Sequence, residues 1–284
     1  MCGCGIFRRR AIREASAGGS RKPSRGRLNI QYGVHTDRGR VREANEDSYA
    51  ANAKSRLFLV ADGMGGHVAG EVASSMAVST IEECVALLLR ERGRAAGEIL
   101  KMALEEANAR IHETQLARPE LAGMGSTVTA LLFGDRDYHL AHVGDSRAYL
   151  LRGGELHQLT RDHSLVWHLY ENGVLRKEEL AGHPRKNVIT RSIGPHPQVE
   201  IDMDRGPVRD GDLYLLCSDG LSDVVSEERM KAVLGSSQMT PQQMSEALVE
   251  AANDAGSPDN VTVVVLKAGA GASPDDVTDR ITLR

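Results

Sequence analysis

Short apolar runs recur between residues 28 and 268, and most are rich in Val, Leu, Thr and Tyr and are bounded by Gly, Asp or Ser. Runs of this kind predict β-strands. Several follow one another through short turns, as at the glycine pair 153–154, which favours antiparallel pairing. The predicted strands are LNIQYGVHTD, DSYAANA, RLFLVAD, STVTALLFGD, DYHLAHVGDS, RAYLLRGGELHQL, QVEIDMD, DLYLLCSD and NVTVVVLKA.

Other segments repeat apolar residues every three or four positions, which predicts amphipathic helices over 68–91, 94–116 and about 241–254. Because strands come in runs and helices in blocks, we predict an α+β fold, a four-layer α-β-β-α sandwich. In it, two central, mainly antiparallel sheets are flanked by helix pairs. The apolar faces of the first two helices comprise Val72, Met76, Ala77, Ile81, Cys84, Val85 and Leu88, and Ile99, Met102, Ala103, Ala107 and Ile111.

No repeat or linker interrupts residues 29–268, so we predict one domain between two tails. Residues 1–28 carry eight basic side chains and one acidic one among glycines and serines, which is typical of a flexible, solvated arm. No aromatic residues alternate with these basic ones in a nucleic-acid-binding pattern, so no nucleic-acid partner is expected. Residues 269–284 form the second predicted tail. The longest apolar runs fall far short of the about 20 residues that cross a bilayer, so we expect no transmembrane segment.

The four cysteines are too few and too scattered for a disulfide framework. This usage predicts a reducing compartment, and we expect a cytoplasmic monomer. Cys84 and Cys217 fall on predicted core positions. Cys2 and Cys4 lie in the basic arm, where the roles of both the arm and the cysteines stay open.

Acidic residues stand where the predicted strands enter or leave the core. In an antiparallel sheet, the end of one strand lies beside the start of its neighbour, so these acids can gather at one rim. The acids at strand exits are Asp62, Asp145 and Asp219, and those at strand entrances are Glu46, Asp47 and Asp259.

Such a cluster requires cations, because two unit charges about 4 Å apart repel by roughly 4 kcal/mol near a protein surface. Oxygen ligands without cysteine or a helical His-x-x-x-His pair favour Mg²⁺ or Mn²⁺ over Zn²⁺. Two such ions about 3.5 to 4 Å apart, bridged by a carboxylate and a water, would make that water a nucleophile. Asp62 would bridge the pair, and Gly63, which lacks a side chain, would let its carbonyl approach an ion.

Eight motifs carry a resemblance that covers about residues 29–267. Their order resembles that of the metal-dependent serine/threonine phosphatases, the type 2C protein phosphatase (PPM) family, and in particular its compact bacterial branch. The motifs are VREANEDS (41–48), ADGMGGH (61–67), GMGSTVTA (123–130), HVGDSRAYL (142–150), LTRDHS (159–164), ITRSIG (189–194), CSDGLSD (217–223) and PDNVTVVVL (258–266).

The resemblance implies a role for each acid. Asp62 resembles the bridging ligand, with Gly63 giving its carbonyl, and Asp219 and Asp259 resemble the other ligands of the first ion. Glu46 and Asp47 resemble the acidic pair that serves the second ion, directly or through water. Asp145 resembles the ligand of a third site, shared with Asp219.

The resemblance also bears on the groups around the metals. Arg42 resembles the arginine that holds the substrate phosphate, and its planar guanidinium independently suits a phosphoryl group. Some family members have a histidine general acid where this chain has Met64, so leaving-group protonation is unassigned. His67 could serve through water, or it could lie in an outer shell of the metal site or at the start of the helix that follows. Asn260 and Ser126 are interpreted as orienting or strand-packing residues.

The resemblance implies a phosphatase that hydrolyses phosphoserine and phosphothreonine on proteins by attack of a metal-bridging water or hydroxide, opposing a serine/threonine kinase. Residues 163–190 lie where the family has its mobile flap, which either helps to select substrates or is a packed helical insert. A catalytically inactive, phosphoprotein-binding module is the alternative. The glycine stretch at 63–66 matches no nucleotide-binding fingerprint, and no serine-hydrolase elbow surrounds Ser126 or Ser218.

Overall fold

Two antiparallel sheets form the centre of the computed structural model, which describes residues 28–66, 68–91, 93–180 and 182–269. Almost all of the predicted basic arm and C-terminal tail, including Cys2 and Cys4, lies outside the described residues, as does His67. The strands are β1 (Asn29–Asp37), β2 (Asp47–Asn52), β3 (Leu57–Met64), β4 (Gly125–Ser126), β5 (Val128–Phe133), β6 (Asp137–Val143), β7 (Arg147–Arg152), β8 (Glu155–Gln158), β9 (Asp202–Pro207), β10 (Leu213–Cys217) and β11 (Val261–Gly269).

The helices lie on the two outer sides of this pair of sheets. One sheet has the strand order β1-β11-β10-β7-β8, and the other has β2-β3-β5-β6-β9, with the short β4 paired to β3. The predicted α-β-β-α sandwich is therefore confirmed. The helices are α1 (Val68–Leu88), α2 (Ala96–Ala117), α3 (Leu165–Glu171), α4 (Asp219–Ser222), α5 (Glu227–Leu234) and α6 (Pro241–Asp254), with 3-10 turns at Pro119–Leu121 and Lys177–Glu179.

Alternating side chains divide the interior into three apolar layers. On β3, Leu57 and Leu59 pack toward α1 and α2, whereas Phe58 and Val60 pack between the two sheets. This follows from the two-residue period of a strand, which sends successive side chains to opposite faces. A third layer lies between the first sheet and α5 and α6. The predicted apolar faces of the first two helices lie in or against the layer beneath them, except for Met102, which is only partly buried and is not part of that layer.

We expect Phe58→Ala to lower the free energy of unfolding by about 3 to 5 kcal/mol, because the ring is fully buried between the sheets. Its centroid lies 5.5 Å from that of Tyr32 and 6.0 Å from that of Phe133. Urea denaturation measures the change. The control Val174→Ala, at a side chain that is 65% exposed, should change stability by less than about 0.5 kcal/mol. Equal effects of the two substitutions would contradict the layered packing.

No helix among the described residues is both long and apolar enough to cross a membrane.

Candidate metal centre and active site

The β2–β3 hairpin aligns two of the predicted acids. Asp47 is the first residue of β2 and pairs directly with Asp62 on β3. The sequence pattern predicts that this strand ends at Asp62, but β3 continues to Met64. Asp62 is held at its backbone, because its N–H donates to Thr127 Oγ1 (2.9 Å) and its carbonyl accepts from the Thr127 N–H (2.8 Å).

Glycines let the start of α1 pack closely against this hairpin. A Cβ atom on Gly63 would overlap the carbonyl oxygen of Gly70, and a Cβ atom on Gly70 would overlap the carboxylate of Glu46. Close packing against α1 therefore requires glycine at position 63, in addition to the predicted approach of the Gly63 carbonyl to an ion.

Asn260 anchors the loop that carries Glu46. Its Oδ1 accepts from the Glu46 N–H (2.8 Å), and its Nδ2 donates to the carbonyls of Arg38 (3.0 Å) and Ala44 (2.9 Å). Ser74 Oγ donates to the Glu46 carbonyl at 2.6 Å. Both polar atoms of the Asn260 side chain therefore bind the backbone of the loop that carries Glu46.

Asp219 and Asp145 enter the same region from other strands. Asp219 begins α4 with one residue between it and the end of β10, and one residue likewise separates Asp145 from the end of β6. Oδ1 of each carboxylate is buried and has no hydrogen-bond partner in the described structure. Buried polar atoms are normally satisfied, so these two oxygens fit ligands of a cation better than structural hydrogen-bond acceptors.

Electrostatics support a clustered arrangement. Burial, opposed in part by a hydrogen bond from Ser218, raises the pKa of Asp47 to about 6, and burial with the nearby Asp162 raises the pKa of Asp145 to about 7. Burial followed by the charge of Asp47 raises the pKa of Asp62 well above its usual range. Burial followed by the charge of Asp145 does the same for the pKa of Asp219. Carboxyls that repel one another in this way attract divalent cations.

Two cavities meet at the acids. One, of about 290 Å³, has Arg42, Asp62 and Asp259 on its walls together with the glycine turn at 65–66. The other, of about 170 Å³, extends from Asp145 beneath residues 163–190. Asp219 and Asn187 line both cavities.

Two acids of the cluster also bind protein groups. Asp259 Oδ2 lies 2.7 Å from Arg42 Nη2, and Asp47 Oδ2 accepts from Ser218 Oγ at 2.7 Å. Within the described residues, no group of three or more His, Cys, Asp or Glu side chains is arranged to hold a metal ion by itself. The pairing of β2 with β3 and the two shared cavities bring the predicted acids to one rim, but their roles as ligands stay predictions.

The sequence profile of the protein phosphatase 2C family matches residues 35–252. The chain belongs to the protein phosphatase 2C family. Over 239 residues it is 39% identical to the serine/threonine phosphatase stp of Listeria monocytogenes, covering 82% of this chain and 93% of stp. Over 241 residues it is 42% identical to the serine/threonine protein phosphatase PstP of Mycobacterium tuberculosis, covering 84% of this chain. The chain spans about half of PstP, 45% of its length.

Solved structures of family members have the same fold. The crystal structure of Mycobacterium tuberculosis PstP superposes with a TM-score of 0.78 at 42% identity, covering 84% of this chain and 98% of that chain. The PstP catalytic domain in complex with two manganese ions gives a TM-score of 0.77 at 41% identity, covering 85% and 99%.

In this family member, several residues at the site had not been singled out from the sequence. Ser218 and Thr127 hold Asp47 and Asp62 by hydrogen bonds, and Asn187 and Ile189 reach the larger cavity from residues 163–190. Their positions depend on contacts between distant segments. The CSDG and GSTVT motifs did mark the surroundings of Ser218 and Thr127.

Proposed function

We propose that the chain is a metal-dependent serine/threonine protein phosphatase whose active site is the acid-lined cavity beside Arg42. The observation that carries the proposal is the meeting of Asp62, Asp145 and Asp219, whose pKa values are all raised, at one end of the family's fold, together with the unpartnered buried oxygens of Asp145 and Asp219. Phosphoproteins made by a serine/threonine kinase are the proposed substrates.

The proposed ligands are divided among the metal ions as predicted from the sequence. One Mn²⁺ or Mg²⁺ ion would be held by Asp62, the Gly63 carbonyl, Asp219 and Asp259, and a second by Glu46 and Asp47. A third site would be shared by Asp145 and Asp219. When bound, such ions would offset the charge of the phosphoryl oxygens and activate water for attack on phosphorus. The PstP catalytic domain was solved with two manganese ions, which supports Mn²⁺ here.

The protein's own groups position the substrate. Arg42 is half exposed at the cavity, and one of its five N–H donors binds Asp259, which leaves others for the phosphate. Ser126 and Ser218 are buried, and their hydroxyls donate to the Asp62 carbonyl and to Asp47, so both act as structural donors within the protein. Met64 has no proton to give, so the site supplies no general acid at that position. Residues 163–190 are proposed to help select substrates.

Release of inorganic phosphate from a phosphothreonine protein tests the proposal. We expect turnover with Mn²⁺, its loss in EDTA because the carboxylates then lack their counter-ions, and its recovery when Mn²⁺ is added in excess. Binding of Mn²⁺ and phosphoprotein without turnover would overturn the proposal in favour of an inactive binding module.

A further inference from the structure

Three oxygen atoms around the cavity beneath residues 163–190 are buried and have no hydrogen-bond partner within the described part of the chain. Two belong to the carboxylates of Asp145 and Asp219, and the other is the hydroxyl oxygen of Ser222. All three residues line this cavity of about 170 Å³. Because an unpartnered buried polar atom is costly, three of them at one cavity indicate that the cavity binds a further group.

The short helix α4 aligns Ser222 with Asp219. The two residues are three positions apart, and side chains at that spacing lie on the same face of a helix. Asp145 comes from the turn after β6. After burial, the charge of Asp145 is the largest effect that raises the pKa of Asp219, so the two carboxylates lie near each other. Helix α4 and the turn after β6 therefore bring the three unpartnered side chains together.

The hydroxyl of Ser222 lacks the local partner that other helical serines have. Ser79 Oγ donates to the Met76 carbonyl at 3.2 Å, and Ser245 Oγ donates to the Gln242 carbonyl at 2.8 Å, in each case three residues back along the helix. Such a bond to the backbone is a common way for a serine within a helix to satisfy its hydroxyl. Ser222 forms no bond of this kind, so its oxygen is available to a group in the cavity.

Two basic side chains of this cavity already have acidic partners. Arg147 Nη2 lies 2.6 Å from Asp162 Oδ2, and Lys186 Nζ lies 2.6 Å from Asp223 Oδ2. All four of these residues line the cavity. Among the residues that the structure describes, the two unpartnered carboxylates form no such ion pair, so their negative charges are available to a cation.

The three oxygens suit a hard divalent cation. Mg²⁺ and ions like it prefer oxygen ligands, and they keep several waters beside one or two carboxylates. No described group of three or more His, Cys, Asp or Glu side chains is arranged to hold a metal, so a further protein ligand has to be of another type. A serine hydroxyl is such a ligand, since it binds Mg²⁺ in phosphate-binding loops. Two carboxylates balance the charge of the ion, and the hydroxyl adds none.

We propose that Ser222 Oγ is a direct ligand of a divalent cation that Asp145 and Asp219 also bind, in the cavity beneath residues 163–190. The inference rests on the proposed function for the metal dependence of the protein, and it adds a neutral protein ligand to the third site. Ser222 is thereby a binding residue of the metal centre and not a packing residue of α4.

A cysteine variant tests direct coordination. In Ser222→Cys a thiolate replaces the hydroxyl, and soft thiolates bind soft cations such as Cd²⁺. We expect Cd²⁺ to produce sulfur-to-cadmium charge-transfer absorption in the ultraviolet, saturating at one thiolate-bound ion per added cysteine. Adding Asp145→Asn to this variant should weaken that Cd²⁺ binding. The controls are the unaltered protein, which has four cysteines of its own, and Ser237→Cys at an exposed serine, and neither should gain this absorption at the same Cd²⁺ concentration.

Mn²⁺ binding tests the same site with a metal that the proposed enzyme uses. Electron paramagnetic resonance of free Mn²⁺ gives the number of bound ions and their dissociation constants. Ser222→Ala is expected to raise the dissociation constant of one ion by at least about tenfold, the lower end of the cost of losing a group that only orients a ligand. Ser222→Thr keeps the hydroxyl and should retain the wild-type constant. Ser237→Ala is the matched control and should change none of the constants.

Either measurement can overturn the proposal. Direct coordination is refuted if Ser222→Cys gains no charge-transfer absorption, or if Ser222→Ala binds Mn²⁺ as wild type does. If the cysteine variant fails to fold, the comparison of Ser222→Ala with Ser222→Thr still decides. Neither measurement requires turnover. If wild type releases no phosphate but both binding results hold, the proposed function fails and the cation site stands. Phosphate release by wild type with unchanged Mn²⁺ binding in Ser222→Ala would refute the role of Ser222 alone.

Discussion

Replacing Asp62 or Asp219 by Asn is expected to abolish metal-dependent phosphate release. Each change removes a negative charge and a ligand oxygen at nearly constant side-chain volume. The loss should exceed about 100-fold, the upper end of the cost of losing a group that only orients a ligand. The measurement is the initial rate of phosphate release from a phosphothreonine protein at saturating Mn²⁺.

The same variants should not lose stability without metal. Burial and neighbouring acids raise the pKa of Asp62 and of Asp219, so their charged forms destabilise the metal-free fold at pH 8. Metal-free Asp219→Asn is therefore expected to melt at or above the temperature of metal-free wild type. Asp223→Asn is a control, because Asp223 lines the cavity beneath residues 163–190 but its carboxylate already has a partner, Lys186 at 2.6 Å. Full activity in Asp62→Asn or Asp219→Asn, or a marked loss of metal-free stability, would count against a ligand role.

The rise in melting temperature on adding Mn²⁺ is expected to be larger at pH 8 than at pH 5.5. At pH 5.5 the carboxyls of Asp47 and Asp145, with pKa values of about 6 and about 7, are largely protonated in the folded, metal-free protein. Each must release its proton before it binds a cation, at a cost of about 1.4 kcal/mol for every pH unit below its pKa. Differential scanning fluorimetry with and without Mn²⁺ at both pH values measures the effect.

The direction of this pH dependence follows from the linkage between proton binding and folding. A carboxyl whose folded pKa is raised binds a proton more readily when folded, so the metal-free fold gains stability as pH falls from about 8 toward 4. His142, whose pKa burial lowers to about 4, acts in the opposite direction between about pH 6.5 and 4. Comparing samples with and without Mn²⁺ at the same pH cancels the His142 contribution. Asp219→Asn should show only a small shift at either pH, and a wild-type shift as large at pH 5.5 as at pH 8 would refute the linkage.

Long, strongly patterned elements were predictable from the sequence. The predicted helix at about 241–254 coincides with α6, because Pro241 begins it and Thr240 forms a capping box with Gln243. α3, α4 and α5 were not predicted as separate helices, since 4 to 8 residues are too few to show a helical period. Ser164 and Ser226 cap α3 and α5, so capping chemistry could have indicated two of them.

The rim of acids was predictable because strand ends can be read from local patterning and antiparallel pairing brings them together. The groups that hold the acids were harder to foresee. Asn260 binds three backbone groups of a loop more than 200 residues away, and Asn187 reaches the cavity from residues 163–190. Local spacing contains no information about such contacts, which arise only when the chain closes into layers.

The pairing of Asp47 with Asp62 makes the proposed metal site depend on the length of a distant turn. The hairpin reverses at residues 53–56, where Arg56 has a φ of +57°, roughly 17 Å along β2 from Asp47. Deleting one residue from this bend could slide β2 by one position and point the Asp47 carboxylate to the opposite face of the sheet. An inactive relative could therefore arise by a change in loop length alone, with every acidic residue still in its sequence.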